Sequence, residues 1–295
     1  MTGGVPGSPV SRPARAAAIV AVAVTALVAG CTTRGPAGHA GPVPAGLSPG
    51  RATWLLTRSA LAQLVTDPVV RGELGRSTVY EILQPGQAPL PGVAATPVVT
   101  FPAVTELGAA LAAGRLPAGT RAVLYDPEAW SFTPADEQRD PVAAAARAAQ
   151  LAHAHGLRLI VAPALNLTTV LAPGGSAPRW RQFLDLRLAA RMAKVADVIE
   201  LQAQSLERSP ATYATFVREA AGQARAAEPG VTVLAGLSTN PPGPVVGSDQ
   251  VAAAIRVSWA SVHGYWLNIP GPGPRCPTCH PARPDVGIAA LRAVL

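Results

Sequence analysis

The sequence predicts an α/β protein with a single (β/α)8, TIM-like barrel domain that follows a signal peptide and a flexible linker. The first observation is that short apolar, β-branched segments alternate with longer helical segments along residues 51–295. This alternation is typical of βαβ units and a parallel sheet. The second is that eight such segments can be counted, and the third is a length close to the about 250 residues that barrels of this kind need.

The chain begins with the three parts of a secretory signal. Residues 1–15 carry Arg12 and Arg15 and no acidic residue, and residues 16–29 form an apolar run interrupted only by Thr25. A positive segment, a short apolar segment and a small residue before the cleavage site are typical of a signal peptide. The run is shorter than the about 20 apolar residues that span a bilayer. We therefore assign residues 1–30 to a signal peptide.

The end of this run, Val28-Ala29-Gly30-Cys31, resembles a bacterial lipobox. The resemblance implies that the thiol of Cys31 receives a lipid and becomes the new N-terminus, with acyl chains of the palmitate kind holding the protein in the cell membrane. Two or more chains anchor stably, whereas one anchors marginally. The alternative is a plain signal peptide with an incidental cysteine, but no A-x-A site follows nearby. We expect a lipid-anchored protein on the extracytoplasmic face.

Residues 31–50 join the lipid site to the folded domain. They are rich in Gly, Pro and Ala, which predicts a flexible and partly extended tether. The domain then begins at residue 51. Its eight predicted strands are residues 52–56, 78–83, 97–101, 122–126, 157–164, 197–204, 231–238 and 262–268.

Apolar residues at helical spacing fill most of the links between these strands. The predicted helices are residues 57–65, 104–114, 141–155, 179–194, 210–227, 248–259 and 285–295. Gly156 is placed to end one helix, and Ser209-Pro210 is placed to begin another. The link between the second and third strands has no helical pattern, and an open doubly wound sheet is the alternative architecture.

Charge and cysteine content exclude several classes of function. The net charge is +7, but the basic residues are scattered and form no nucleic-acid patch, so no nucleic-acid partner is expected. Cys276 and Cys279 form C-P-T-C in a Pro/Gly-rich loop, which predicts a disulfide in an oxidising compartment. A zinc site would need two more ligands, and only His280 is adjacent. We expect neither a metal nor a cofactor, and nothing indicates an oligomeric state.

Candidate site residues follow from the rule that barrel active sites form at the carboxyl ends of the strands. Asp126 and Glu128 follow the fourth strand and are two residues apart, so they share a face if the strand continues. Crowding of two carboxyls should raise the pKa of one of them, which suits a general acid. The sixth strand alternates, with Glu200, Gln202 and Gln204 expected to face the barrel interior and Ile199 and Leu201 the helices.

Amide and aromatic side chains are predicted at the same end of the barrel. Besides the three residues of the sixth strand, the candidate substrate-binding residues are Tyr125, Asn166, Asn240, Tyr265 and Trp266. Carboxylates, amides and a flat ring together suit a sugar, because paired acids serve glycoside hydrolysis and amides bond hydroxyl groups. The simpler interpretation is a capped turn at Asp126-Pro127 and a polar layer bonded to Arg158.

The segment Asp126-Pro127-Glu128 after a fourth strand, with Trp266 in the eighth, resembles barrel glycoside hydrolases of the chitinase-like family 18. That family ends its fourth strand with D-x-x-D-x-D-x-E. The resemblance implies that Glu128 is the general acid, that Asp126 is its helper and that Trp266 lies under the sugar. The two earlier aspartate positions are Arg121 and Leu124 here, and proline separates the two acids.

Three functions remain in view from the sequence. The first is hydrolysis of a glycan outside the cytoplasm with Glu128 as acid. The second is a lipoprotein that binds a glycan or wall fragment at the same mouth without cutting it. The third is an assembly lipoprotein that presents the Pro-rich segment 269–284 to another protein.

Overall fold

The computed structural model describes residues 52–241, 243–273 and 280–295. Eight parallel strands pair in chain order, and the first strand also pairs with the last, so the sheet closes into a barrel. This confirms the (β/α)8 prediction and excludes the open sheet. The strands are β1 Thr53–Thr57, β2 Thr78–Leu83, β3 Thr96–Phe101, β4 Ala122–Tyr125, β5 Arg158–Val161, β6 Val198–Leu201, β7 Thr232–Ser238 and β8 Gly264–Asn268.

Helices cover the outside of the barrel in the described part of the chain. They are α1 Arg58–Leu64, α2 Pro68–Leu74, α3 Val104–Ala112, α4 Ala135–Arg139, α5 Pro141–Ala154, α6 Thr168–Leu171, α7 Arg179–Asp185, α8 Leu188–Ala193, α9 Pro210–Ala227, α10 Ser248–Ser258 and α11 Pro284–Val294. The link from β2 to β3 contains no helix, as predicted. None of the described helices combines the length and apolarity that a membrane crossing requires.

Several helix boundaries follow from local chemistry. Ser209 caps α9 by accepting a hydrogen bond from the Thr212 amide, with Pro210 at the first helical position. Gly156 follows α5 with φ +68°, a left-handed conformation that glycine adopts without strain. The single helix expected over 179–194 is instead two helices, because Arg187 takes a left-handed conformation with φ 52° between α7 and α8.

The apolar residues form two cores, one on each side of the strands. The larger lies between sheet and helices and includes Trp54, Tyr125 and Tyr265. The smaller fills the barrel itself, and we call it the inner cluster; it consists of Leu55, Tyr80, Ile82, Val98, Ala122, Leu124, Ile160, Ala162, Val198, Leu234 and Trp266. Because successive side chains of a strand point to opposite sides of the sheet, only every second strand residue faces the barrel interior and can contribute to its mouth.

Candidate functional site at the carboxyl end of the barrel

The acid pair lies where β4 leaves the barrel. The amide of Asp126 donates to the Phe101 carbonyl at 3.0 Å, so the chain runs beside β3 for one residue beyond the strand. The amide of Ala164 donates to the Pro127 carbonyl at 3.1 Å, which ties the same segment to the end of β5. Asp126 is 7% exposed and Glu128 is half-buried. The pair is thus held between two neighbouring strands at the mouth.

Gln202 orients Asp126 from the end of β6, two strands away. Its Nε2 donates to Oδ1 of Asp126 at 2.6 Å and to the carbonyl of Ala162 at 2.8 Å. One side chain that follows β6 therefore connects the ends of β4 and β5. A carboxylate held by a fixed amide donor has little freedom to rotate, so Asp126 presents a defined face to the mouth.

Asn166 orients Glu128 in a similar way. The Asn166 Oδ1 accepts a hydrogen bond from the Ala129 amide at 2.9 Å, so its Nδ2 must face the other way. That Nδ2 donates to Oε2 of Glu128 at 3.3 Å. Each carboxylate of the acid pair therefore has its own amide donor, and both amides were predicted as site residues.

Glu200 is the most buried of the three acids at this end of the barrel. Its side chain is fully buried, and neither carboxyl oxygen has a hydrogen-bond partner among the described residues. Arg158, the cation weighed as its partner, instead donates to the hydroxyl of Tyr80 at 2.8 Å. Burial raises the pKa of Glu200 well above its ordinary value, and the negative charges of Asp126 and Glu128 raise it further. The raised pKa therefore belongs to Glu200 of β6. The sequence instead predicts a raised pKa within the crowded pair Asp126 and Glu128.

Two further predicted residues line the interior near this acid. The amide of Gln204 lies over Gly236 of β7, where an added Cβ would come within 2.5 Å of it. Glycine at this position makes room for the amide. Trp266, which pairs in register with Gly236, belongs to the inner cluster, is 8% exposed and has a buried Nε1 without a described partner. Trp266 is therefore part of the barrel wall.

The structure corrects the placement of two predicted tyrosines. The Tyr125 hydroxyl donates to Glu137 at 2.8 Å behind the sheet, where the side chain is fully buried. The Tyr265 hydroxyl donates to the Ile255 carbonyl at 3.0 Å and also contacts Ser258. Each tyrosine precedes an inward-facing residue, so alternation turns both toward the helices and away from the mouth.

Asn240 follows β7, as expected, but its side chain bonds to the segment that precedes α11. Its Nδ2 donates to the carbonyls of His280 at 3.0 Å and Pro281 at 3.4 Å. The donor side of this amide therefore holds the segment before α11 against the end of β7. Cys31, Cys276 and Cys279, on which the lipid and disulfide predictions depend, lie outside the described residues.

The loop after Glu128 contains residues that sequence reasoning did not assign. Trp130 and Phe132 pack edge to face, with ring centroids 5.0 Å apart, and Phe132 is 42% exposed. The hydroxyl of Thr133 accepts hydrogen bonds from the Trp130 indole at 2.9 Å and from the Glu128 amide at 3.2 Å. The same hydroxyl thus fixes the aromatic pair and the backbone of Glu128. The sequence signal that could have identified this loop is the presence of two aromatic residues within four positions of Glu128.

Two surface clefts lie among the helices and links of the described part of the chain. One, of about 370 Å³, is lined by residues of α1, α2 and the β2–β3 link. The other, of about 380 Å³, begins at Thr168 and runs to Gln182, next to Asn166. The acid pair lines neither cleft. Within the described ranges, no three His, Cys, Asp or Glu side chains are grouped to hold a metal ion.

The mouth therefore combines two oriented carboxylates, a buried acid and an aromatic pair of which Phe132 is exposed. Such a set can hold a polyhydroxylated ligand, because carboxylates and amides bond hydroxyl groups and aromatic faces stack on flat apolar surfaces. It also contains acids in different surroundings, half-buried at Glu128 and fully buried at Glu200. Unequal surroundings separate the protonation states of neighbouring carboxyls, as acid–base chemistry requires.

Comparison with known proteins gives similarity in structure alone. No family model matches the chain, and no curated protein matches its sequence. A chitinase from Chromobacterium violaceum matches at 13% identity and TM-score 0.48, over 82% of this chain and 99% of that one. A curdlan-specific exo-β-1,3-glucanase from Blastomyces gilchristii matches at 16% identity and TM-score 0.42, over 82% and 99%. Triosephosphate isomerase from Bartonella henselae matches at 11% identity and TM-score 0.38, over 74% and 92%.

At these identities and TM-scores the matches assign no function to this chain. A barrel of this type supports many unrelated reactions, so the function has to be argued from the site.

Proposed function

We propose that this chain is a lipid-anchored, extracytoplasmic protein that binds a glycan across the mouth of its barrel and hydrolyses it, with Glu128 as the general acid. The observation that carries the proposal is the pair Asp126 and Glu128, each oriented by its own amide donor at the carboxyl end of the barrel. In glycoside hydrolysis one carboxyl protonates the leaving oxygen while a second stabilises the positive centre of the sugar.

Each residue of the mouth then has one role. Glu128 is half-buried and lies on the loop that carries the aromatic pair, so a sugar packed on Phe132 would be close to it. Asp126 is more buried and is held by Gln202, which suits a carboxylate that stays in place while charge develops on the sugar. The lipid on Cys31 would keep this mouth at the membrane surface.

The proposal is tested by product release from a soluble fragment, residues 32–295, on a panel of wall and storage glycans. We expect turnover by the wild type and a loss of about 100- to 10,000-fold in Glu128→Gln, the range for a general acid. Glu106→Gln, which changes an exposed acid on α3, is the matched control and should retain turnover. Full activity in Glu128→Gln with an intact fold would remove Glu128 from this role.

Lipid anchoring has its own test. Full-length protein expressed in a bacterium that processes lipoproteins should partition into detergent and incorporate labelled palmitate, whereas Cys31→Ser should do neither. Labelling that persists in Cys31→Ser would show that the lipid is attached elsewhere, or that the membrane association has another cause.

A second candidate function is glycan binding without hydrolysis, and one observation favours it. Leu124 stands where the family 18 pattern has an inner aspartate, and it is fully buried in the inner cluster. This candidate predicts saturable binding with no product. Phe132→Ala should weaken the affinity about 2- to 10-fold by loss of stacking, whereas Phe132→Tyr keeps the ring and should bind normally. Equal binding by all three proteins would exclude the aromatic pair as a contact.

A further inference from the structure

The burial of Glu200 has no structural explanation within the fold. Buried polar atoms are nearly always hydrogen-bonded, and an unpaired one destabilises the folded state. Both oxygens of Glu200 are buried without a described partner, although apolar neighbours such as Val198 and Leu234 show that this interior accepts apolar side chains. An aliphatic residue would fill the same place at lower free energy, which indicates a chemical reason for the acid.

The charged surroundings of Glu200 indicate what that reason is. The charges that act on it are the carboxylates of Asp126 and Glu128, while Arg158 is bonded to Tyr80. From the helix side the titratable neighbour is Tyr213 of α9, whose hydroxyl donates to the Gly236 carbonyl and whose pKa is raised by burial, so it stays neutral. The neighbouring strand positions Ala162 and Leu234 have no titratable group. Glu200 therefore retains its proton to higher pH than an ordinary carboxyl group does.

We propose that Glu200 is the proton store of this site and supplies the proton that Glu128 gives to the leaving group. The inference rests on the proposed hydrolysis. In the transfer, the O–H bond of Glu200 breaks and an O–H bond forms on Glu128. The summed charge of the three carboxyls is unchanged, and the store is refilled from water after turnover. Glu200 acts through Glu128, so it is a positioning residue rather than a catalytic one.

The inference predicts a change in the shape of the pH profile. With Glu200 present, the three carboxyls titrate as a unit, so Glu128 can be protonated at neutral pH at the expense of Glu200. In Glu200→Gln, Glu128 must take its proton from solvent. We expect kcat/KM of Glu200→Gln to match the wild type at acidic pH and to fall about tenfold per pH unit above the pKa of Glu128. Glu200→Met should show the same profile.

Two measurements accompany the profile. Glu73→Gln makes the same change at a buried acid on α2 that pairs with Arg76, and its profile should keep the wild-type shape. The infrared difference spectrum at pH 7, wild type minus Glu200→Gln, should contain a protonated carboxyl band, a readout that needs no substrate; Glu207, with a pKa of about 7, contributes equally to both proteins and cancels. Thermal melts establish that each variant is folded.

The outcomes separate the two proposals. If the wild type turns over a glycan, Glu128→Gln is inactive and Glu200→Gln follows the wild-type profile at every pH, the proton store is overturned and the hydrolase stands. A uniform loss of kcat/KM at all pH values in Glu200→Gln would also overturn the proton store, because it would show that Glu200 has a structural role. If the wild type turns over no glycan, the proposed function fails, and absence of the infrared band would also overturn the neutral state of Glu200.

Discussion

Gln202 and Asp126 are 76 positions apart in the sequence, yet Nε2 of Gln202 lies 2.6 Å from Oδ1 of Asp126. The same Nε2 reaches the Ala162 carbonyl at 2.8 Å, so one amide fixes the ends of three consecutive strands relative to one another. The position of Asp126 thus depends on the arrangement of β5 and β6 as well as on its own strand. This makes Gln202 a sensitive point for any activity at the mouth.

Gln202→Leu should reduce kcat with little change in KM. The substitution keeps the volume of the side chain and removes the donor, so Asp126 gains freedom at the moment when its position matters. Misplacement of a catalytic group by about 1 Å can reduce a rate about 100-fold. Steady-state kinetics on the best glycan of the panel measure the effect. Gln150→Leu, on the exposed face of α5, is the control, and an unchanged kcat in Gln202→Leu would contradict the orienting role.

Asn166→Asp should move the alkaline limb of the kcat/KM profile to higher pH. The Asn166 Nδ2 donates to Glu128 at 3.3 Å, and donation stabilises the ionised form of a carboxyl. Replacement by a carboxylate removes the donor and adds a like charge, so Glu128 retains its proton to higher pH, by about one unit or more. Asn166→Ala, which removes the donor alone, should move the limb less. A shift to lower pH in either variant would show that this contact does not control Glu128.

Glu207 should make the stability of the fold depend on pH. Its Oε1 accepts a hydrogen bond from the Ser238 amide at 2.7 Å, its Oε2 is buried without a described partner, and burial raises its pKa to about 7. Between the ordinary value of 4.5 and about 7 the folded protein binds more protons than the unfolded one. The contribution of Glu207 to stability is therefore fully present below pH 4.5 and is lost as pH rises through about 7, by about 3 kcal/mol in all.

Glu207→Gln should remove this part of the slope. Urea unfolding of the wild type and the variant at several pH values from 4 to 8 measures the difference between their free energies of unfolding. Glu200 contributes in the same direction to both proteins, so the difference isolates Glu207. A difference that does not vary with pH would show that Glu207 has an ordinary pKa in the folded protein.

Tyr125→Phe should reduce stability and leave turnover unchanged. The Tyr125 hydroxyl donates to Oε2 of buried Glu137 at 2.8 Å, and after substitution the Val104 amide remains as a donor to that carboxylate. Loss of one buried hydrogen bond to a charged group destabilises by about 1.5–3 kcal/mol. Urea denaturation and kinetics on one preparation test both parts. A fall in kcat without a change in stability would show that Tyr125 contributes to the site at the mouth of the barrel.

The eight strands and the closed barrel could be predicted from the sequence, because alternation of apolar strands with amphipathic helices is a local property. The same period placed Glu200 inward and Ile199 outward, as the structure shows. The same period also excludes two of the predicted site positions. Tyr125 cannot share a face with Asp126, nor Tyr265 with Trp266, because neighbouring residues of a strand point to opposite sides of the sheet.

The tertiary structure alone decided how the inward residues meet. Whether Glu200 finds a cation, which amide reaches Asp126 and how deep Trp266 lies depend on distances across the barrel, and these follow from the closure and packing of all eight strands. The sequence offered Arg158 as a partner for the polar layer, but the arginine bonds to Tyr80. A residue's position along its own strand sets the direction of its side chain, whereas its partners belong to other strands. The raised pKa of Glu200 therefore follows only from the assembled barrel.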